Sequence, residues 1–137
     1  MKKQEEERFL RNGRILRLAS LHEDGSPHLV PVWYIYEDGR LYVATSDTSR
    51  KARNIKKSGR VAFCVDVGEG YEDLKAVIGK GNARVITDSN VVEDKGKKIL
   101  LKYLGDLNHP VAKELAKADN CVIEISPTWT RSWDYST

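Results

Sequence analysis

The spacing of hydrophobic and polar residues changes period several times along the chain, and the changes outline its elements. Residues 2–11 read as a short helix ended by Asn12-Gly13, a pair suited to a left-handed C-terminal cap. From Arg14 the period is two. The pattern predicts a strand over Arg14 to Leu21, a turn at Asp24-Gly25, a second strand over Pro27 to Tyr36, and a turn at Glu37-Asp38-Gly39. A third strand over Leu41 to Thr45 follows, with Leu41, Val43 and Thr45 on one face, so that three consecutive antiparallel strands are expected, joined by tight hairpins. A helix from about Ser49 to Lys57 closes at Ser58-Gly59, and Val61, Phe63, Val65 and Val67 then alternate as a fourth strand. A fifth is expected over Leu74 to Thr87, with Gly79 and Gly81 on the face of Val77, Ala83 and Val85. Two glycines on one face suggest barrel curvature or the close approach of another body.

Two helices come next. One carries a capping pattern in residues 88–93, with Asn90 three before Glu93, and runs to about Leu104 before Gly105. The other restarts at Asn108-His109-Pro110, with Pro110 in its tolerated first position, and ends near Ala118. Asn120 to Ser126 and Thr128 to Asp134 complete the pattern as sixth and seventh strands. Strands dominate and helices intervene, which reads as one domain over residues 1–137: mainly β (α+β), a small antiparallel barrel of six to seven strands with flanking helices.

Composition narrows the partners. Of 137 residues, 40% are hydrophobic, enough for a single core. The longest stretch without Asp, Glu, Lys or Arg is Gly25 to Tyr36, twelve residues with two prolines, so no membrane-spanning helix is expected. The acidic residues near the start do not suit a signal peptide, and a soluble, cytoplasmic protein is expected. Lys plus Arg number 23 and Asp plus Glu 20, interspersed; only Arg50 to Arg60 forms a basic run, without the interleaved aromatics of a nucleic-acid site. Cys64 and Cys121 lie in apolar strand segments without metal-ligand spacing and read as two buried thiols; no metal is expected.

Leu41 to Lys57 carries the candidate chemistry. A helix start exposes unpaired N–H groups and the positive end of the dipole. This start adds the hydroxyls of Thr45, Ser46, Thr48 and Ser49 and the cations Arg50 and Lys51. Cations are misplaced in a first turn unless an anion lies beside them, and a phosphate monoester would satisfy all of these groups. An ordinary serine cap on a solvated basic helix accounts for the same residues.

The run from Arg14 to Asp66 resembles the flavin-binding split-barrel family related to pyridoxamine 5′-phosphate oxidase. The matching segments are ILRLAS at 15–20, DGSPH at 24–28, PVWY at 31–34, LYVATS at 41–46 and SRKARNI at 49–55. Residues 78–85 and 129–133 match more loosely. The resemblance implies that Thr45, Ser46, Ser49, Arg50 and Lys51 hold the phosphate of flavin mononucleotide (FMN), and that Val30, Pro31, Val32 and Trp33 lie along the isoalloxazine edge. It further implies a homodimer with cofactor sites at the interface, where Trp129, Arg131 and Trp133 of one subunit help cover the other's flavin. Trp33, Trp129 and Trp133 could equally be packing residues, and His28 a strand residue without a ligand.

The implied activity is that of an oxidoreductase moving hydride between flavin and a small-molecule substrate, with no evident catalytic acid or base. Arg131 is the only cation after Lys117, which does not match the basic C-terminal segment of true pyridoxamine phosphate oxidases. An alternative within the fold is a reductase using the 8-hydroxy-5-deazaflavin coenzyme, whose acidic tail would meet Lys51, Arg53, Lys56 and Lys57. Another is a flavin carrier without turnover. The loop from Gly68 to Asp73 is a candidate wall of the substrate pocket, and Asp134 and Tyr135 could meet the substrate.

Overall fold

A computed structural model describes residues 1–136. Seven strands form one antiparallel sheet: β1 (Leu16–Leu21), β2 (Pro27–Val32), β3 (Ile35–Glu37), β4 (Arg40–Thr45), β5 (Arg60–Val67), β6 (Lys75–Ile86) and β7 (Cys121–Asp134). Four helices flank it: α1 (Lys3–Asn12), α2 (Arg50–Lys57), α3 (Ser89–Leu104) and α4 (Pro110–Ala118). Among the described residues no helix is long and apolar enough to cross a membrane.

The sheet order is β2-β1-β5-β6-β7-β4-β3, which places β2 and β3 at opposite edges. Yet only Trp33 and Tyr34 separate them in sequence, and three Cα steps span at most about 11 Å. The two edges must therefore meet, and the sheet is curled into a half-barrel with a seam that is linked but not hydrogen-bonded as a ladder. The stretch from Pro27 to Tyr36, expected as one strand, is thus two strands, and β2 and β3 are not a hairpin. The count of seven still holds, because the expected sixth and seventh strands are one. Between Gly81 opposite Pro127 and Lys80 opposite Trp129 the register shifts, so Thr128 is an extra residue in a bulge that keeps β7 continuous past Pro127.

The alternating positions fill the barrel. Leu16, Leu18, Leu41, Val65, Val77, Ile123 and Ile125 are fully buried, each worth about 1.5–3 kcal/mol of apolar transfer. Gly79 makes room for Phe63, whose ring a Cβ would strike, and a Cβ at Gly81 would strike the Ser126 carbonyl beside the bulge. Both glycines therefore serve the barrel interior. At Gly13 the backbone is extended (φ −61°), not left-handed; glycine is required there because a Cβ would meet the Tyr34 hydroxyl and Val65. The cap of α3 is Asp88, which accepts from the N–H groups of Asn90 and Val91, and not Asn90 itself. Cys121 is buried, whereas Cys64 is only half-buried.

The seam is held by side chains. Tyr34 is fully buried and its hydroxyl donates to the Leu10 carbonyl of α1. Its backbone N–H donates to the Tyr103 hydroxyl (3.1 Å), and its carbonyl accepts from Lys102 Nζ (3.0 Å) and from the Tyr103 hydroxyl (3.2 Å). Thus α3 supplies the partners that a neighbouring strand would otherwise give. Glu37 at the end of β3 pairs with Lys95 and Lys98, which fixes the same helix to the same edge and holds its carboxyl below the ordinary range.

Two predictions follow from this packing. Gly79→Ala is expected to cost about 1–3 kcal/mol through overpacking against Phe63; an unchanged urea midpoint would contradict it. Burial, with the Arg14 charge beside it, holds the Lys102 ammonium down at about 8, against an ordinary value of 10.5. Between those two values the unfolded chain binds more protons, so this lysine makes stability rise with pH. Above about pH 10 the buried Tyr34 and Tyr103 hydroxyls, whose pKa values are raised by burial, act in the opposite sense. Unfolding free energies of wild type and Lys102→Met should therefore diverge between about pH 8 and 9.5, with the flatter profile in the variant. Parallel profiles would contradict the assignment.

Candidate functional site

The loop from β4 into α2 builds one end of the site. Ser49 caps α2, its Oγ accepting from the Ala52 N–H at 3.3 Å, and no acidic residue lies in the first turn. Ala52 and Ile55 are buried, and Asn54 donates to Ser20 Oγ of β1 at 3.1 Å, which fixes the helix orientation. Ahead of the cap, the Asp47 N–H donates to Asn120 Oδ1 (2.8 Å) and the Asn120 N–H donates to the Thr45 carbonyl (3.1 Å), tying the loop to the start of β7.

This geometry turns Lys51 inward. Its ammonium is half-buried and burial lowers its pKa, while burial raises that of Asp119 nearby. Among the described residues no carboxylate lies within 4.0 Å of Lys51. Asp119 acts on it electrostatically from beyond that distance, and a half-buried cation beside a helix N-terminus, without a contact ion pair, suits an external anion.

Lys51 opens into a cleft of about 900 Å³ between the barrel seam and the two helices α3 and α4. Pro31, Val32 and Trp33 form the seam wall, Ala44 and Thr45 the floor, and Val92, Gly96 and Leu100 of α3 face them. Leu115 and Ala116 of α4 and Asp119 and Asn120 complete it. The seam wall is rigid: Trp33 stacks on Tyr103 with ring centroids 4.5 Å apart and 5° between planes, and the Arg14 guanidinium lies 4.4 Å from the Tyr103 centroid. Because β2 is an edge strand, backbone groups along Pro31–Trp33 have no further strand to pair with. They are available to a planar heterocycle that carries its own donors and acceptors.

The sequence-derived candidates divide into two groups. Pro31, Val32, Trp33, Thr45 and Lys51 converge on the cleft. Val30 is half-buried one position along the same strand. Ser46, Ser49 and Arg50 flank the cleft rather than line it: Ser46 Oγ is bonded to Thr48 Oγ1 (2.9 Å), Ser49 is the cap, and Arg50 is exposed. Trp129, Arg131 and Trp133 stand elsewhere in the chain, opposite Lys80, Ile78 and Ala76. Ile78 is eight strand positions, roughly 26 Å, from Ile86 beside the cleft. Within one chain these three residues therefore do not join the cleft.

Other expectations also fall away from it. The loop Gly68–Asp73 holds a 3-10 turn (Tyr71–Asp73) at the far end of β6, where Tyr71 stacks on Tyr135. His28 is half-buried on β2, edge-on to His22 at 5.4 Å, and is not on the cleft wall. Of the tail-binding candidates only Lys51 lines the cleft; Lys56 Nζ donates to the Asp47 carbonyl (3.4 Å) and Lys57 pairs with Glu23. Both helices are expected from the sequence, but their pattern does not assign them to a wall of the cleft. The one local signal of that wall is Gly96, a glycine in the middle of a sixteen-residue helix.

Comparisons with known proteins agree with this architecture. A 5a,11a-dehydrotetracycline/5a,11a-dehydrooxytetracycline reductase of Streptomyces rimosus is 36% identical over 89 residues, 61% of this chain and 63% of the reductase, so the match spans less than two thirds of that protein. The crystal structure of the conserved hypothetical protein Rv2991 from Mycobacterium tuberculosis superposes with a TM-score of 0.88 at 28% identity, covering 98% of this chain and 86% of the other. A structure described as an F420 reductase gives a TM-score of 0.69 at 26% identity over 91% of this chain and 94% of that one. The family model described as pyridoxamine 5′-phosphate oxidase matches residues 3–134, nearly the whole half-barrel with its seam and cleft, and the chain belongs to that family.

Proposed function

We propose that the protein is an oxidoreductase that holds a flavin-type cofactor in the cleft and passes hydride to or from a small conjugated substrate. The observation that carries this reading is the convergence of a half-buried cation, Lys51, with no carboxylate of the described residues within 4.0 Å, and an open strand edge, Pro31–Trp33, in one cleft. Lys51, Thr45 and the first-turn N–H groups of α2 would take the phosphate. The backbone of Pro31–Trp33 would take the polar edge of the ring system, with Trp33 held by Tyr103. Such a cofactor, when bound, supplies hydride chemistry at its central ring. The chain's own part is to position it, exclude water with the apolar walls from α3 and α4, and fix the anion.

Two cofactors fit, and each has its own support. FMN is favoured by geometry, because of the basic residues of α2 considered for an extended acidic tail only Lys51 faces the cleft. The deazaflavin coenzyme is favoured by kinship: the relatives described as reductases, one of them as an F420 reductase, are 36% and 26% identical. Absorbance of the protein as purified and after reconstitution separates the two. The paired visible bands of an oxidised flavin following the protein would support the first, and a single shorter-wavelength band the second. A colourless protein that retains neither would contradict the reading.

The proposed assembly is a homodimer. On the outer face of the sheet, Leu29, Ala19, Ala62, Lys80 and Trp129 lie in one register row. Leu29 is 68% and Trp129 47% exposed, an apolar surface that calls for cover. A second copy on this face would bring its Trp129, Arg131 and Trp133 towards the Pro31–Trp33 edge of the first. Light scattering should give twice the chain mass, and a monomer with cofactor bound would contradict a shared site.

Substitution tests the anion end. Lys51→Ala should weaken cofactor binding by about 2–3 kcal/mol through the loss of a charge-assisted phosphate contact. Arg50→Ala, at an exposed position, should cost less than about 1 kcal/mol. Equal effects in a fluorescence titration would contradict the placement of Lys51.

A further inference from the structure

Gly96 lies near the middle of α3, with helical residues on either side, at a position where glycine brings no benefit to the helix. It needs no positive φ, and a Cβ built on it would meet no heavy atom within 4 Å. The protein's own packing therefore does not require the missing side chain. Gly96 lines the cleft, as do Val92, Ile99 and Leu100, its neighbours three and four positions away on the helix. Small residues recur around the same space, Ala44 from β4 and Ala116 from α4. At its edge Glu93 and Lys97, four residues apart, form an exposed ion pair at 2.7 Å.

We propose that Gly96 determines substrate specificity: the bare α3 backbone between Val92 and Leu100 receives a flat, fused-ring, largely apolar substrate whose polar substituents meet Glu93 and Lys97 at the edge. This rests on the reading of the seam and Lys51 as the cofactor's side of the cleft, which leaves the α3 wall to the substrate. A flat ring system gains dispersion contact along its whole face only where no side chain stands between it and the helix. A methyl group at position 96 would hold the ring off the backbone, and a larger side chain would fill the slot.

The test uses the full-length protein loaded with FMN or the deazaflavin coenzyme. Melting temperature, cofactor dissociation constant and binding of two probes are measured for wild type, Gly96→Ala and Gly96→Leu. The probes are anthracene-2-carboxylate, which is flat, and adamantane-1-carboxylate, which is globular. Gly96→Ala should melt about 2–5 °C higher, since alanine is the better helix former. Cofactor affinity should stay within about twofold of wild type in both variants, and Gly96→Leu should bind anthracene-2-carboxylate at least about tenfold more weakly. Wild type should prefer the flat probe to the globular one by a similar factor.

Three results would overturn the proposal: unchanged binding of the flat probe in Gly96→Leu, no preference of wild type for the flat probe, or a tenfold loss of cofactor affinity in Gly96→Leu. The last would assign the bare backbone to the cofactor instead. Failure of wild type to take either cofactor would overturn the cofactor reading, while the probe titrations on the same protein would still decide whether the α3 wall is a slot for flat rings.

Discussion

Everything in this architecture depends on a two-residue link between strands at opposite edges of the sheet. Trp33 and Tyr34 must join β2 to β3, so the sheet has to curl until those edges meet. The peptide groups of the link then have no strand to pair with, and burying them without partners would be costly. Tyr103 and Lys102 supply the partners from α3, while the Tyr34 hydroxyl reaches α1. The seam thereby recruits two helices and closes one side of the barrel.

The cleft is a consequence of that closure. Because β2 ends the sheet, its Pro31–Trp33 backbone faces outward, and because α3 is tied down at Glu37 and Tyr34, a roof is held over it. The turn after β4 delivers Lys51 to the same space, since Asn54 and Ile55, three and four positions on and so on its own side of α2, bury that side against the barrel. A partly desolvated ammonium and an open strand edge are together a site for a molecule with an anionic end and a flat ring, and the apolar roof closes the space across from it.

Locally encoded features were legible in the sequence. Ser49 as a cap, Gly105 in the left-handed region and Pro110 opening α4 are set by side-chain chemistry within a few residues, and the structure has all three. The half-barrel class and the family followed from alternation and from the motifs of residues 15–55. What escaped was set by distant contacts. No turn residue marks the break at Trp33-Tyr34 within an apolar run, since the break comes from closure of the seam. Pro127 reads as a strand end, but Gly81 and the bulge across from it let β7 continue. Thr45, Lys51 and Pro31–Trp33, far apart in sequence, line one cleft, whereas Trp129, Arg131 and Trp133 lie on a remote part of the same chain. The roof of α3 and α4 was missed because an amphipathic helix does not announce what its second face covers.

The central claim is that Lys51 and the N-terminus of α2 bind the phosphate of a flavin-type cofactor. Its most direct test compares the affinity of the protein for each cofactor with that for its phosphate-free counterpart: FMN against riboflavin, and the deazaflavin coenzyme against its dephosphorylated chromophore. The account predicts at least about a thirtyfold preference for the phosphate-bearing form in one of the two pairs, shrinking in Lys51→Ala. Equal affinity for both members of each pair would contradict it.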